Sequence, residues 1–541
     1  MIVSSPYSLE YPDVPAGAIL AGASARWGDR VALHADGLEL TFTELYRRAC
    51  AFAHGLRVEG IGRGDVVAVH LANCAEFAVA YHGILLAGAT FTPANPLLPA
   101  ADLAAQLADS GATLAVSSEP AAKVLAAIQA KTAVRRVVLV GDDFEQFLAG
   151  QPVSHLELGL DPAIDLAHLA YTGGTTGRSK GVRISHRNLV VNALQYACWG
   201  SGATPKLDAD GGLWLEQVGS PEDYPVRLGT AVTISLTPWF HAMGTVASLN
   251  TAILSGVTQV LHQRFDPGRY LADAERLGVT TMTGAPALFA ALIAHPEFAS
   301  RDLGQVRTIG SGAAPLAVEM INSMISRFGP GTVISEAYGL TEVTMGATAG
   351  PAACSGLRKV GTVGLPVYDT QIKLVAEDSP DGPEVPLPVG EYGEVCIRGP
   401  QVMAGYLNRP DETSAVLVDG WFHTGDIGVL DEDGYLAIVD RKKDMLIYKG
   451  YNIYPRELEE KLIAQSGVAQ AAVVGRLDPT VGELPVAFVA GMGLDPDKIR
   501  ATVNADLPPY KRLREIFIVE SIPVSAAGKV LKRELRDQLR E

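Results

Sequence analysis

Short apolar runs rich in β-branched residues alternate with longer Ala- and Leu-rich amphipathic stretches along most of the chain. "DVVAVHL" is followed by "AEFAVAYHGILLAG", and "TLAVSS" is followed by "PAAKVLAAIQAK". Continuous apolar strands joined by helices are typical of parallel sheets that are buried on both faces. The same pattern returns later in the runs "RRVVLVG", "AVTISLTP", "TQVLHQ", "VTTMTGAP" and "RTIGSGAAP". The pattern therefore predicts an α/β fold.

The pattern changes near residue 365. The runs "TQIKLVA", "GEVCIRG" and "YLAIVD" are separated by turn residues, which predicts a smaller and more antiparallel β unit. The segment "DRKKDMLIYKG" then places a cluster of charges between two apolar regions, as linkers often do. The helices and strands predicted after it form an α+β unit of about 100 residues. They are "PRELEEKLIAQ", "QAAVVGRL", "PVAFVA", "DKIRATVNADL", "EIFIVE" and a helical tail "KRELRDQLRE".

One polar stretch interrupts the α/β pattern. Residues 201–229 are rich in glycine and acidic side chains and lie between a predicted helix and a predicted strand. A structureless stretch of that length is usually functional or mobile, whereas surface insertions are also commonly tolerated. We expect a loop here, either a tolerated insertion or a cover for a pocket or partner surface.

Composition narrows the classes of function. The chain has 541 residues, a hydrophobic share of 48% and a net charge of −16, which fits a globular enzyme and disfavours a nucleic-acid partner. The N-terminus carries Glu10 and Asp13 without a preceding basic segment, and no run of eighteen apolar residues occurs, so we expect no signal peptide and no membrane span. The five widely spaced cysteines predict buried thiols in a cytoplasmic protein. The oligomeric state is left open between monomer and homodimer.

The stretch "YTGGTTGRSKG", residues 171–181, carries the first chemical signal. Glycines let backbone N–H groups approach a ligand closely, and the hydroxyl groups, Arg178 and Lys180 add donors and positive charge. The Gly-Lys-Ser/Thr ending of the classical P-loop is absent. The composition and the strand-like lead-in predict a phosphate-binding loop rather than a flexible surface loop.

Further motifs follow in a fixed order. They are "PWFHAMG", "GSGAAPL", "EAYGLTE", "GWFHTGD", "DRKKD", "KGYNIYPRELE" and "PVSAAGKVLKREL". Together with the phosphate loop, this ordered set resembles the adenylate-forming superfamily of acyl-CoA synthetases, luciferases and adenylation domains, over nearly the whole chain. Within it, "DRKKDMLI" and "GYNIYPRELE" are most similar to fatty-acyl- and aryl-CoA ligases. Ile447 stands where some aryl-CoA ligases carry lysine, which weakens the aryl assignment.

The resemblance implies a fold and a division into domains. We expect an α/β protein whose large N-terminal domain, residues 1–440, has two βαβ-type subdomains and a β-rich subdomain. A small mobile α+β domain, residues 441–541, would follow it, with the hinge at Lys443. In such enzymes the small domain rotates between two half-reactions, and a polar hinge residue can absorb the backbone change.

The resemblance also implies an activity. ATP and Mg²⁺ would activate a carboxylic acid as acyl-AMP with release of pyrophosphate, and the acyl group would then pass to coenzyme A. Other acceptors stay open, namely a carrier-protein thiol or an amine, as does an unusual oxyanion such as nitrite in diazotisation. A non-catalytic nucleotide-binding relative is a further alternative, which the intact motifs disfavour. The absence of G-x-G-x-x-G after the first strand argues against a dehydrogenase.

Site residues follow from the same motifs. The implied catalytic residues are Thr175, His241, Glu342 and Lys529, with Thr175 and Glu342 on Mg²⁺, since Mg²⁺ prefers hard oxygen ligands. The implied nucleotide- and coenzyme-binding residues are Thr172, Gly174, Thr176, Ser179, Lys180, Gly312, Ala313, Glu336, Ala337, Tyr338, Thr341, Asp426, Arg441 and Gly450. Among these, Tyr338 would stack on adenine, Asp426 would bind the ribose hydroxyls, and the loop around Gly450 would act in the second half-reaction.

The implied acid pocket is apolar. Its residues are Met243, Ala247, Ala314, Gly339, Met345 and Gly346. An amino-acid substrate would normally need an acidic partner for its ammonium group, and none stands at these positions. The pocket therefore predicts an acid with an apolar acyl or aryl body.

Overall fold

The protein is described by a computed structural model over residues 1–35, 37–172, 179–312, 316–376, 384–449, 451–524 and 530–539. The chain forms two compact units. The larger unit comprises Ser4–Gln371 and Ile397–Phe422, and the smaller unit comprises Met1–Val3, Ile372–Cys396 and His423–Glu541. In this division, residues 372–396 and 423–440 group with the C-terminal residues. The boundary after residue 440 stays a prediction.

A nine-stranded sheet in the larger unit has a parallel centre. Its strands, in spatial order, are Leu365–Pro366, Thr348–Ala349, Val333–Tyr338, Thr308–Ser311, Thr281–Gly284, Val232–Ser235, Thr258–Leu261, Val31–Ala35 and Leu38–Thr41. The six strands from Val333–Tyr338 to Val31–Ala35 pair in parallel, and the outermost pairs are antiparallel. The carboxyl ends of the parallel strands therefore meet at one edge, where α/β proteins bind ligands.

A second sheet of the larger unit has six strands. In spatial order they are Arg136–Leu139, Leu114–Ser117, Val66–His70, Thr90–Pro93, Leu166–Thr172 and Lys180–Ser185. Only the last pair is antiparallel. The apolar runs are buried on both faces, as the sequence pattern predicts.

Helices cover these sheets and begin at recognisable signals. Thr41 and Glu44 form a capping box on one helix, Ser185 and Asn188 form another, and Gly202 ends the second helix in the left-handed region with φ 59°. The α-helices are Gly17–Trp27, Phe42–Val58, Ala75–Leu86, Ala100–Ser110, Glu119–Ile128, Asp142–Leu148, His186–Ser201, Ala252–Leu254, Pro267–Leu277, Pro286–Ala294, Val318–Phe328 and Pro410–Ser414. A π-helix spans Met243–Thr251, and 3₁₀ turns span Gln129–Lys131, Pro296–Phe298 and Thr341–Val343.

The expectation of an unstructured stretch over residues 201–229 is wrong. Strands Ala203–Leu207 and Leu213–Gln217 form an antiparallel hairpin there. Leu213 is fully buried, and a Cβ atom built on Gly22 would lie 2.0 Å from the Leu213 carbonyl oxygen. The hairpin thus packs directly on the backbone of the helix Gly17–Trp27, and its apolar residues supply core rather than an open loop.

The smaller unit contains a mixed α+β region. Its five strands are Leu446–Tyr448, Tyr451–Ile453, Val468–Asp478, Gly482–Gly491 and Glu515–Ile518, and its helices are Pro455–Ile463, Pro496–Ala505 and Lys532–Gln538. A further sheet is built from Ile2–Ser4, Gln371–Val375, Gly393–Arg398, Trp421–Leu430, Leu417–Val418 and Leu436–Arg441. These elements confirm the predicted fold class of two βαβ-type sheets, a β-rich part and an α+β part. Within the described ranges, no helix has both the length and the apolar character to cross a bilayer.

Burial lowers the pKa of four histidines in the larger unit. Desolvation by burial lowers the pKa of His70 and of His186 to about 4, and that of His82 and of His168 to about 3. The Nε2 atom of His168 lies 2.8 Å from the Tyr81 hydroxyl, whose oxygen accepts a hydrogen bond from Asn250. Neutral imidazoles are therefore part of the folded structure, although the unfolded chain protonates them near pH 6.5.

This burial predicts a loss of stability in mild acid. Each lowered pKa contributes stability above pH 6.5 that is lost as the pH falls toward the folded-state value, by up to about 1.4 kcal/mol per pH unit. We expect His82→Leu to reduce the difference in unfolding free energy between pH 7.5 and pH 5.5 by about 1 kcal/mol. Urea unfolding at the two pH values measures this difference. The exposed His155→Leu serves as the control, and an equal effect of both variants would contradict the assignment.

Candidate active site

Three of the predicted motifs leave the same edge of the nine-stranded sheet. "PWFHAMG" follows strand Val232–Ser235, "GSGAAPL" includes the end of Thr308–Ser311, and "EAYGLTE" includes the end of Val333–Tyr338. The last two strands are parallel neighbours in which Ser311 pairs with Glu336. Motifs separated by about 100 residues in sequence are therefore brought together by parallel pairing.

The predicted phosphate loop joins two antiparallel strands of the six-stranded sheet. Thr172 ends one strand and pairs with Lys180, which begins the next. The Ser179 hydroxyl donates a hydrogen bond to the Thr172 carbonyl oxygen. Three other predicted loop residues, Gly174, Thr175 and Thr176, lie outside the described residues.

Lys180 is held by two side chains from a later segment of the larger unit. Its ammonium forms an ion pair with the Glu412 carboxylate and lies 4.9 Å from the centre of the Tyr406 ring. Arg409 also reaches Glu412, with 3.4 Å between Nε and Oε1. An anionic phosphate approaching Lys180 would therefore compete with Glu412 for the same cation.

Glu342 lies in the 3₁₀ turn Thr341–Val343. Its Oε1 atom accepts a hydrogen bond of 2.9 Å from the Tyr406 hydroxyl, and its carbonyl oxygen accepts one of 2.8 Å from the Met403 N–H. The Tyr406 hydroxyl engages one oxygen of this half-buried carboxylate, and carboxylate oxygens match the hard-oxygen chemistry that Mg²⁺ prefers. The donor set present at Glu342 thus fits the implied metal.

The predicted adenine-binding segment is ordered around Glu336. The Glu336 Oε1 atom accepts a hydrogen bond of 2.9 Å from the Leu316 N–H. Ala313 and Ala314 lie outside the described residues. Tyr338 is half-buried at the end of its strand and pairs with Thr348, while Ala337 pairs with Ala349. This strand end is held in place by antiparallel pairing on one side and by parallel pairing on the other.

The predicted acid-pocket residues form two close groups. A Cβ atom built on Gly312 would lie 3.0 Å from Cε of Met243, so this methionine covers the glycine. A Cβ atom on Gly339 would lie 2.0 Å from the Met345 carbonyl oxygen and 2.4 Å from Cα of Gly346. A side chain at position 339 would therefore collide with the backbone of Met345 and Gly346. Ala247 lies on the π-helix that begins at Met243, and it is half-buried.

Asn192 supports this pocket and was not found from the sequence. Its side-chain amide accepts a hydrogen bond of 3.1 Å from the Gly346 N–H and donates one of 2.9 Å to the Gly346 carbonyl. Asn192 is fully buried on the helix His186–Ser201. The amide therefore replaces the strand partner that Gly346 lacks in its turn, a role that no local motif could indicate.

A second unpredicted asparagine fixes the His241 segment. Asn73 donates a hydrogen bond of 2.9 Å to the Thr237 carbonyl and accepts one of 2.8 Å from the N–H of the fully buried Trp239. The His241 N–H donates to the Pro238 carbonyl at 3.1 Å, and its ring contacts Phe240. Asn73 and the buried indole thus position the turn that carries half-buried His241.

In the smaller unit, Asp426 and Arg441 face each other on paired strands, with 3.4 Å between Nε and Oδ1. Asp426 is buried. Most of the charges that predicted a solvated linker are ion-paired, including Asp444 with Arg536 at 2.7 Å. Lys443 between them is exposed. Gly450 and Lys529 lie outside the described residues.

Lys442 is anchored beside that exposed lysine. Its ammonium lies 3.1 Å from Glu394. Burial alone would raise the pKa of Glu394, but interactions with His423, Lys442 and the Gly425 N–H outweigh burial and lower this pKa to about 2. The lowered pKa favours the charged form of the Glu394 carboxylate, which holds the Lys442 side chain in an ion pair.

Comparison with known proteins agrees with this geometry. Residues 20–407 match the model of the AMP-binding enzyme family, and residues 457–529 match the model of the AMP-binding enzyme C-terminal domain. The chain belongs to this family of adenylate-forming enzymes. The resemblance inferred from the ordered motifs is thereby confirmed.

Two relatives align over nearly their full lengths. A long-chain-fatty-acid–CoA ligase from Bacillus subtilis is 31% identical, with 98% of this chain and 96% of the relative covered. A feruloyl-CoA synthase from Amycolatopsis sp. is 35% identical, with 93% and 95% covered.

Solved structures share the fold. ATP-bound MatB from Rhodopseudomonas palustris aligns with a TM-score of 0.85 at 27% identity, covering 98% of this chain and 99% of the other. The amide bond synthetase McbA from Marinactinospora thermotolerans aligns with a TM-score of 0.81 at 27% identity, covering 97% and 100%. Relatives of this fold therefore include proteins named for different acyl acceptors.

The role of Asn192 gives a stability prediction. Asn192→Leu leaves the N–H and the carbonyl of Gly346 without this partner, and each unpaired buried group costs about 1–3 kcal/mol. We expect a fall of about 2–4 kcal/mol in the free energy of unfolding, measured by urea denaturation.

The matched control is Asn322→Leu, at an exposed position on the helix Val318–Phe328. A variant of Asn192 that is as stable as this control would show that the amide makes no net contribution to the pocket.

Proposed function

We propose that the protein activates a carboxylic acid with an apolar acyl or aryl body as its acyl-adenylate, and then forms the coenzyme A thioester. The observation that carries the first step is the linkage of Lys180, at the phosphate loop, to Glu342 through Tyr406. Through Tyr406, the cation proposed to bind phosphate and the carboxylate proposed to bind the metal belong to one connected group.

The first step is a substitution at phosphorus. A carboxylate oxygen of the acid forms a bond to the α-phosphorus of ATP, and the bond from that phosphorus to the bridging oxygen of pyrophosphate breaks. Negative charge spreads over the phosphate oxygens in the transition state, so cations and N–H donors placed in advance lower the barrier. Lys180 and Ser179 would contact the leaving phosphates, and Lys529 would bridge the carboxylate and the α-phosphate.

Glu342 and Thr175 would hold Mg²⁺. When bound, the ion would neutralise charge on the phosphate oxygens and orient them. Tyr338 would stack on adenine, Glu336 would order the segment that borders the base, and Asp426 with Arg441 would bind the ribose. His241 would border the acid pocket at the turn fixed by Asn73.

The acid pocket supports an uncharged substrate body. Its described positions are Met243, Ala247, Gly339, Met345 and Gly346, and none of these residue types carries a charge. The closeness of Gly339 to the Met345 and Gly346 backbone keeps this wall free of side chain, which leaves room for a flat or extended group. A charged amine or second carboxylate would lack a partner there.

A pocket in the smaller unit supports coenzyme A as the acceptor. It measures about 520 Å³ and is lined by Tyr448, Lys449, Tyr451, Pro509, Tyr510, Arg512 and Arg514. This volume falls in the range of small-molecule sites. It lies at the predicted "KGYN" loop, which would act in the second half-reaction.

The pocket combines aromatic faces with cations. The Tyr451 and Tyr510 rings stack with centroids 4.8 Å apart, and the Arg514 guanidinium lies 5.2 Å from the Tyr448 ring centre. Lys449 adopts a left-handed backbone with φ 50° in the turn between two paired strands. Stacked rings and several cations match the adenine and phosphates of a nucleotide-bearing thiol.

We further propose that the part of the chain after Lys443 moves between the two half-reactions. Lys442 and Asp444 are held by ion pairs while Lys443 is exposed, so a backbone change at Lys443 would disturb little packing. The domain boundary would then fall at residues 440–441.

The proposed function is tested by measuring pyrophosphate release from ATP. A panel of fatty acids, benzoates and cinnamates is assayed with and without coenzyme A. We expect at least one apolar acid to support turnover and to yield a thioester when coenzyme A is added.

Other outcomes separate the alternatives. Turnover that ignores coenzyme A but requires an amine or a carrier protein would overturn the thioester step and keep adenylation. Nitrite as the activated oxyanion would overturn the apolar acid. Absence of ATP binding would contradict adenylation itself.

The acceptor pocket is tested by the double variant Arg512→Gln/Arg514→Gln. We expect the KM for coenzyme A to rise about tenfold or more, since two charge-assisted phosphate contacts would be lost. Pyrophosphate release in the absence of coenzyme A should stay within about twofold of wild type, because adenylation does not use these residues.

Arg476→Gln is the matched control, since Arg476 is a partly exposed arginine of the same unit that pairs with Glu515. If the double variant and this control give the same KM for coenzyme A, the pocket does not bind the acceptor.

A further inference from the structure

Tyr406 belongs to none of the motifs that predicted the site. It lies in a segment whose backbone is bonded to the strand Lys180–Ser185, through Leu407 N–H to Gly181 at 2.8 Å and Arg183 N–H to Gly405 at 3.0 Å. The Tyr406 N–H also donates to the Thr413 hydroxyl at 2.9 Å. The position of the tyrosine is therefore set by the fold before any ligand binds.

The Tyr406 side chain touches two predicted ATP-site residues at once. The face of its ring lies 4.9 Å from the Lys180 ammonium, and its hydroxyl lies 2.9 Å from Oε1 of Glu342. These two residues stand 162 positions apart in the sequence. Only 8% of the Tyr406 surface is exposed, and Lys180 and Glu342 are half-buried, so both contacts are partly shielded from water.

The direction of the hydrogen bond follows from the chemistry. An ionised carboxylate can only accept, so the tyrosine hydroxyl donates. One oxygen of Glu342 is thereby engaged, and rotation of the carboxylate that would redirect the second oxygen is restricted.

The ring contact acts on the cation. The cation–π contact with the Tyr406 ring restricts the Lys180 ammonium in addition to its ion pair with Glu412. Release of Glu412 by an incoming anion would therefore leave the ammonium in place instead of freeing a flexible side chain.

We propose that Tyr406 is a positioning residue that fixes the Glu342 carboxylate for Mg²⁺ through its hydroxyl and the Lys180 ammonium for phosphate through its ring. This inference rests on the proposed function, in which Glu342 binds the metal and Lys180 binds the triphosphate. It assigns the two contacts to two separable parts of one side chain.

The test is a set of ATP dissociation constants, measured by titration calorimetry with the full-length protein in excess Mg²⁺ and in EDTA. We define the Mg²⁺ enhancement as the ATP dissociation constant in EDTA divided by the ATP dissociation constant in excess Mg²⁺. Tyr406→Phe removes only the hydroxyl, so we expect the Mg²⁺ enhancement to fall about three- to tenfold. The ATP dissociation constant in EDTA should stay within about twofold of the wild-type value. A residue that only packs in the core would not change this ratio selectively.

The ring is tested separately. Tyr406→Leu removes both contacts and should also raise the dissociation constant in EDTA. Lys180→Met keeps the contact between the Tyr406 hydroxyl and Glu342. It should therefore raise the ATP dissociation constant in EDTA and leave the Mg²⁺ enhancement near that of wild type. Lys180→Met also tests the division of roles if a Tyr406 variant fails to fold, as judged by circular dichroism.

Tyr46→Phe is the control, because the Tyr46 hydroxyl also bonds to a side chain, His155 at 3.0 Å, within the same unit. An unchanged enhancement in Tyr406→Phe, with a wild-type protein that shows one, would overturn the inference alone. A wild-type protein without Mg²⁺-dependent ATP binding would overturn the proposed function and the inference together. A loss of enhancement in Lys180→Met equal to that in Tyr406→Phe would overturn the separation of roles.

Discussion

Parallel pairing of the central strands in the nine-stranded sheet is the constraint on which the site depends. Because neighbouring strands run in the same direction, the segments after Val232–Ser235, Thr308–Ser311 and Val333–Tyr338 leave at one edge. The residues of these strands are buried or half-buried, so the register of each strand is set by packing that a single substitution at the edge does not change. The candidate site residues can therefore lie on turns, while the packed core fixes the distances between these turns.

Buried polar side chains then fix those turns. Asn73 holds the backbone beside Trp239, and Asn192 holds both backbone groups of Gly346. Such side chains compensate for backbone groups that irregular turns cannot pair with each other. Tyr406 extends the same principle from backbone to charged groups, since it contacts Lys180 and Glu342 directly.

The two units differ in how charge is used. In the larger unit, the oppositely charged Lys180 and Glu342 side chains both contact Tyr406. In the smaller unit, ion pairs around Glu394 and Asp444 flank the exposed Lys443, and cations gather with tyrosines near Lys449.

The amino-acid sequence by itself determined the fold class, the family and most of the motif residues. Apolar strands followed by amphipathic helices have a periodicity that survives without tertiary information, and the glycine- and hydroxyl-rich loop has a composition tied to phosphate chemistry. The failure at residues 201–229 has a physical cause. Leu213 and Leu215 gain their burial from packing in the folded unit, including contact with a distant helix, so the short polar-flanked strands show little local signal.

The tertiary structure alone decided which residues support the site. Asn73, Asn192, Tyr406 and Glu412 lie outside the motifs, and their side chains act on partners far away in sequence. An asparagine or tyrosine has no periodic or compositional signature of such a role, because a hydrogen bond depends on a distance of about 3 Å and a direction. Those quantities exist only after the sheets and the segment around Tyr406 have come together.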